Sequence, residues 1–194
     1  MENNLHNIYL FRAMEAYPYE LERAVEALNY ALSYNSESVK ALCLMAKVQS
    51  EQLENYEAAK YYYERAIAAE IENPGIYPDY IRLLVNNGDY DEAEKLIDFA
   101  LRFKGTKKAN VLLAQASFYE ATKAYDKAEG VLKEAKIIAL NDEFINYVDA
   151  IISRIIKKRK TQANKNRANE TVVKKEIKKT SNSNWFRDRL NNLL

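Results

Sequence analysis

The segment at residues 87–100, NGDYDEAEKLIDFA, contains the clearest structural pattern in the chain. Four of its apolar residues follow one another at intervals of three, four and three, which places them on one face of a helix. They are Tyr90, Ala93, Ile97 and Ala100. Gly88 suits the left-handed position that ends a helix, and Asp89 suits the N-cap of the next helix. The segment therefore predicts a tight turn between two helices.

The same four-residue pattern occurs three more times in the chain, and successive copies start 34 or 35 residues apart. The other copies are Leu21, Ala24, Leu28 and Ala31; Tyr56, Ala59, Tyr63 and Ala66; and Tyr125, Ala128, Leu132 and Ala135. Alanine recurs at two positions where a larger residue would also fit the periodicity. This recurrence of alanine predicts a close crossing of two helices, because a bulkier side chain would push the helix axes apart.

Each copy follows another amphipathic segment, so that the chain reads as a series of helix pairs. The preceding segments lie at 5–16, 39–51, 76–85 and 109–121. Each predicted unit is an antiparallel helix pair of about 34 residues. A single pair cannot bury its apolar face, but a stack of pairs can.

At this point the sequence resembles the tetratricopeptide repeat family, with four repeats at about 5–38, 39–73, 74–107 and 109–142. The resemblance implies an all-α fold: a right-handed α-solenoid of four helical hairpins with a capping helix at 143–156. The match is incomplete, because the small residue expected in the first helix is Arg12 in repeat one and Ile81 in repeat three. A generic array of helical hairpins is the alternative.

The resemblance also implies a concave groove lined by the first helix of each repeat. Family geometry turns these side chains toward it: Tyr9, Leu10, Ala13, Tyr17, Cys43, Leu44, Lys47, Asp79, Arg82, Val85, Leu113, Ala114 and Ser117. Such a groove would bind an amphipathic helix or an extended peptide with apolar anchors. The family's clamp for a peptide carboxylate is not expected, because its positions hold Tyr9, Ala13, Leu44, Gly75 and Asp79.

The charge of the chain is unevenly distributed. Residues 1–156 carry a net charge of −8 and residues 157–194 a net charge of +9. The composition of 157–180 predicts a flexible basic linker. Weak attraction between body and tail is expected, and it should fade with salt. An alternative function is contact with RNA, a ribosome or an acidic surface through 157–179.

The chain ends in a short amphipathic segment at 181–194, which we interpret as a docking motif. Its apolar residues are Trp185, Phe186, Leu190, Leu193 and Leu194. Three acceptors remain open at this stage: a groove on another protein, the chain's own repeats or those of another copy, and a membrane. The membrane alternative is the weakest, because the polar face of the motif carries a net charge of only +1.

Other residues exclude several functional classes. Cys43 is the only cysteine, which rules out an internal disulfide and a cysteine-based zinc site. His6 is the only histidine and is expected to be exposed, and no catalytic, metal or cofactor site is predicted. The N-terminus lacks a signal-peptide pattern and no apolar run is long enough to span a membrane. We therefore predict a non-catalytic, cytoplasmic adaptor or scaffold with protein partners.

Overall fold

The computed structural model describes the backbone of residues 2–102 and 108–191, and the side chains of 5–102 and 108–167. Within these ranges all regular secondary structure is helical. The helices are α1 (Glu2–Ala16), α2 (Leu21–Tyr34), α3 (Val39–Glu51), α4 (Tyr56–Ala69), α5 (Ile76–Asn87), α6 (Tyr90–Arg102), α7 (Lys108–Ala121), α8 (Tyr125–Ile138) and α9 (Asp142–Asn191). The chain divides into two compact units, Met1–Val148 and Asp149–Leu194.

In the first unit, α1 to α8 form four helical hairpins. Each first helix packs on the second helix of its own pair, and consecutive hairpins touch through α2 and α3, α4 and α5, and α6 and α7. The α5 helix also packs on α7. The predicted all-α repeat fold is confirmed.

The repeated pattern of the second helices forms the tightly packed centre of each hairpin. Its last three positions are buried in every copy, with at most 2% of the side chain exposed. These positions are Ala24, Leu28 and Ala31; Ala59, Tyr63 and Ala66; Ala93, Ile97 and Ala100; and Ala128, Leu132 and Ala135. The alanines therefore lie where the helices cross, as their recurrence predicts.

The substitution Ala93→Leu tests this packing. Ala93 is fully buried, and three extra carbon atoms there have no space without moving a neighbouring helix. We expect the free energy of unfolding to fall by about 1–3 kcal/mol in urea titrations followed by circular dichroism. Ala68→Leu is the matched control, since Ala68 is exposed on α4, and it should change stability by less than about 0.5 kcal/mol. A neutral Ala93→Leu would contradict the repeat register.

The turn inside each of the last three hairpins contains one residue with a left-handed backbone conformation. These residues are Glu54, Gly88 and Lys123, with φ angles of 52°, 88° and 61°. Gly88 adopts this conformation without a Cβ penalty, as its sequence context predicts. Glu54 and Lys123 occupy the equivalent position without being glycine, so the left-handed backbone conformation recurs at this turn even where the residue type differs.

Two apolar clusters run through the first unit, and α3 belongs to both. Ala41, Met45 and Val48 of α3 join a cluster with α1 and α2. Leu42 and Ala46 join a second cluster that continues through α4 to α7. Because α3 has an apolar face on each side, it connects the first hairpin to the rest of the array.

The second unit consists of helical backbone up to residue 191. Helix α9 covers the predicted capping helix and also continues through 157–180, where the composition predicts a flexible linker. The stretch 131–191 contains no glycine or proline, the residues that most strongly interrupt helices. The domain boundaries at 156 and 180 and the capping role stay predictions. The side chains of the docking motif at 181–194 lie outside the described residues.

Candidate peptide-binding surface

The structure brings together four of the residues predicted for the groove. They are Tyr17 at the end of α1, Lys47 on α3, and Asp79 and Arg82 on α5. Three successive hairpins thus contribute to one polar cluster. We call these residues, together with Glu51, the first-helix cluster.

Asp79 is the centre of the first-helix cluster. Its carboxylate oxygen Oδ2 lies 2.7 Å from Lys47 Nζ, and its other oxygen pairs with Arg82 one turn further along α5. The Asp79 side chain is 23% exposed, so this pair is more sheltered from water than an ordinary surface ion pair. The contact joins α3 to α5, across the boundary between the second and third hairpins.

Tyr17 and Glu51 form the second part of the cluster. The Tyr17 hydroxyl donates a hydrogen bond to the Glu51 carboxylate and so connects α1 to the end of α3. Burial, and then the hydrogen bond to Glu51, raise the pKa of Tyr17 to about 12. Tyr17 therefore remains a hydrogen-bond donor throughout the neutral pH range.

A cleft of about 240 Å³ opens beside these residues. Its polar walls include Ser50, Glu51, Asp79, Arg82 and Asn86, and its apolar lining includes Tyr63 and Leu83. Both of these apolar side chains are buried. The cleft thus combines both signs of charge with an apolar base, which is the composition that orients a polar group of a bound peptide.

Leu44, Leu113 and Ser117 are half-buried, as is Cys43. Burial, and then the negative charge of Asp79, raise the pKa of the Cys43 thiol to about 11. At neutral pH the thiol is therefore protonated and poorly nucleophilic. This agrees with its interpretation as a small apolar residue of the core or groove.

The remaining predicted groove residues lie elsewhere. Tyr9 stacks on Tyr30 and Tyr34 of α2 at centroid distances of 5.0 and 5.9 Å, and Arg12 lies over the Tyr9 ring. Four others are buried in the core: Leu10, Ala13, Val85 and Ala114. The alignment of the repeats places the small residue of the first helix at Arg12 in repeat one. In the structure the buried small residue is Ala13, so the repeat pattern in α1 is shifted by one residue toward the C-terminus.

The cleft also contains residues that the sequence prediction missed. Ser50 and Glu51 lie three and four positions after Lys47, and Asn86 lies four after Arg82, so each is one helical turn away. Glu51 and Asn86 are 35 residues apart, the same interval that separates Lys47 from Arg82. This shared interval was the signal that could have identified them.

The expectation that His6 is exposed is wrong. His6 is buried between α1, α2 and α3. Its Nδ1 lies 3.0 Å from the Ala31 carbonyl oxygen and its Nε2 lies 3.0 Å from the Ser38 hydroxyl. Because a carbonyl can only accept, Nδ1 donates to Ala31, while Nε2 and the Ser38 hydroxyl share the second hydrogen bond. His6 thus ties α1 to the end of α2 and to the N-cap of α3.

The His6 and Ser38 pair differs from the catalytic arrangement of a serine hydrolase. Both side chains are buried, and the partner of Nδ1 is a backbone carbonyl rather than a carboxylate. Among residues 5–102 and 108–167, no group of three or more His, Cys, Asp or Glu side chains is arranged to hold a metal ion. No helix in the described part of the chain has the length and apolar character needed to cross a bilayer.

Comparison with known proteins agrees with this architecture. Residues 51–102 match the family model of the tetratricopeptide repeat. The solved structure of PilF from Pseudomonas aeruginosa superposes with a TM-score of 0.69 at 17% identity, covering 82% of this chain and 71% of that one. The crystal structure of MamA gives a TM-score of 0.57 at 11% identity, covering 84% and 96%. No curated protein sequence matches.

Stacked hairpins of 34 or 35 residues with small residues at the crossings define a helical repeat protein. Proteins of this class serve in general as scaffolds for protein–protein interaction, and they are typically non-catalytic. Residues 51–102 match the tetratricopeptide repeat, and the described part of the chain shares its helical repeat fold with PilF and MamA.

Proposed function

We propose that this chain is a non-catalytic adaptor that binds a peptide or helix on the surface formed by the first helices α1, α3, α5 and α7. The observation that carries this proposal is the first-helix cluster, where Asp79 pairs with Lys47 and Arg82 beside the 240 Å³ cleft. A binding surface needs polar groups that fix the orientation of the ligand and apolar groups that provide affinity, and this surface has both.

The charges of the cluster indicate what kind of peptide it would bind. A ligand carboxylate would compete with Asp79 for Lys47 and Arg82, whose side chains are one third and one half exposed. A ligand cation would find Glu51 and Asp79 on the cleft wall. The surface therefore suits a peptide that carries both signs of charge, with apolar anchors against Leu44 and Leu113.

A second contact would come from the docking motif at 181–194. In this proposal the repeats hold one partner and the motif attaches the chain to another. Two linked contacts of modest strength bind more tightly than either alone, because the second becomes effectively intramolecular.

The charge-reversal pair Lys47→Glu and Arg82→Glu in the full-length chain tests the peptide-binding surface. We expect affinity capture of a protein partner from native lysate to weaken at least about tenfold, because a reversed charge repels the group that the lysine or arginine attracts. The amount captured would be measured by quantitative mass spectrometry, and circular dichroism melting would verify the fold.

Lys95→Glu with Arg102→Glu is the matched control, since both residues are exposed on the second helix α6. It makes the same change in net charge away from the first-helix cluster and should keep full capture. Equal loss in the two double variants would contradict a specific surface on the first helices. Capture that disappears with nuclease treatment would instead favour nucleic-acid contact through 157–179.

A further inference from the structure

Helix α1 has a second apolar face that stays exposed in the described part of the chain. Its inward face buries Leu10, Ala13 and Ala16. Its outward face shows an apolar residue at every third position, each between 39% and 61% exposed. These residues are Leu5, Ile8, Phe11 and Met14. A row of exposed large apolar side chains on one helix indicates a binding surface.

The hairpin that carries this stripe is acidic. Residues 1–38 contain six glutamates and two arginines and no aspartate or lysine, a net charge of −4. Both arginines are already engaged, Arg12 over the Tyr9 ring and Arg23 with Glu20. An approaching segment that combines apolar side chains with positive charge would therefore be attracted to this hairpin.

The chain itself contains a segment of this kind. Residues 157–194 carry a net charge of +9 and end in the docking motif, which contains a tryptophan, a phenylalanine and three leucines. The motif matches the α1 stripe in chemistry, and the basic residues before it match the acidic hairpin. Charge and apolar character thus both point to the docking motif as the segment that binds the α1 stripe.

We infer that the docking motif of one copy binds the outward face of α1 on another copy. The inference rests on the proposed tethering role of the motif and names its partner. The backbone of 149–191 is a single helix, about 65 Å long at 1.5 Å per residue. Such a helix presents the motif far from residue 149, where another copy can reach it. Because the two surfaces differ, copies join head to tail, and the assembly grows with concentration.

Sedimentation velocity of full-length proteins at low salt tests this arrangement. We expect the wild type to associate more as concentration rises and less as salt is added. Ile8→Ser with Phe11→Ser should weaken association at least about tenfold, and so should Trp185→Ala with Leu190→Ala. Ile137→Ser with Leu140→Ser is the matched control, because both side chains are largely exposed outside α1, and it should associate like the wild type.

Mixing the two defective variants gives the decisive result. The α1 variant keeps an intact motif and the motif variant keeps an intact α1 face, so a mixture should form a 1:1 dimer that grows no further. Self-association of the motif variant alone would overturn the inference in favour of contact between two α1 faces. A wild type that stays monomeric at all concentrations would also overturn it. Neither result alters the capture experiment on Lys47 and Arg82, so failure here is distinguishable from failure of the proposed function.

Discussion

Replacing Tyr63 with alanine is expected to lower the free energy of unfolding by about 3–5 kcal/mol. Tyr63 lies on α4, is only 2% exposed, and stacks on Tyr80 of α5 with ring centroids 5.1 Å apart. Removing the ring leaves a cavity between the second and third hairpins and also removes one of the contacts that join them. Urea titration followed by circular dichroism would measure the loss.

Tyr61→Ala provides a control of the same residue type on the same helix. Tyr61 is 55% exposed, and its ring contacts Tyr62 and Arg65 at the surface. Its removal should cost less than about 1 kcal/mol. If both variants lost the same stability, the four-residue pattern of the second helices would not identify the core positions.

The second large effect concerns the reactivity of Cys43. The thiol pKa is raised from 9.0 to about 11, and two pKa units correspond to about 100-fold less thiolate at neutral pH. Alkylation by iodoacetamide at pH 7 should therefore be about 100-fold slower in the folded chain than in urea. Mass spectrometry would follow the reaction without ambiguity, since Cys43 is the only cysteine.

The pH profile separates this electrostatic effect from simple shielding of the sulfur. A raised pKa predicts that the rate increases about tenfold for each pH unit until it levels near pH 11. Shielding of the sulfur alone would lower the alkylation rate at every pH but would leave the midpoint of its pH dependence near pH 9. The raised pKa of Cys43 also affects stability. Above pH 9 the unfolded state releases the thiol proton, whereas the folded state keeps it up to about pH 11. The free energy of unfolding that this proton contributes below pH 9 is therefore lost as pH rises toward 11.

The repeat architecture could be predicted because its physical cause is periodic. Close crossings require small residues at fixed spacing, so the positions of Ala59 and Ala66 in the sequence predict helix α4. Helix α3 was predicted with the same bounds that the structure shows. The turn at Gly88 was predictable for a related reason, since the left-handed conformation favours one residue type. Glu54 and Lys123 occupy the same conformation and gave no such signal.

The details of the first hairpin were not predictable by the same reasoning. Helix α1 is apolar on two faces, so Ile8 and Phe11 fit a helical stripe as well as Leu10 and Ala13 do, and periodicity alone cannot choose between them. The burial of His6 depends on partners 25 and 32 residues away. A single polar residue has no period, and its environment is decided by tertiary contacts.

The cleft beside the first-helix cluster was predicted only in part. Family geometry selected Lys47 and Arg82 on their helices. It did not reveal that Asp79 holds both of them, nor that Tyr17 reaches Glu51 from another hairpin. Such pairings depend on how far one hairpin is rotated relative to the next, and the sequence pattern of a single helix does not predict that rotation.

The two apolar faces of α3 have a consequence for how the array folds. A repeat protein behaves approximately as a one-dimensional chain of units coupled to their nearest neighbours. The fully buried residues of the first hairpin belong to only one of the two clusters, whereas those of the second hairpin belong to both. Losing the first hairpin would therefore leave every buried residue of the longer cluster in place, but losing the second would remove buried residues from both clusters. Any chimera that exchanges repeats between related proteins would therefore have to keep α3 together with the contact surfaces of both its neighbours.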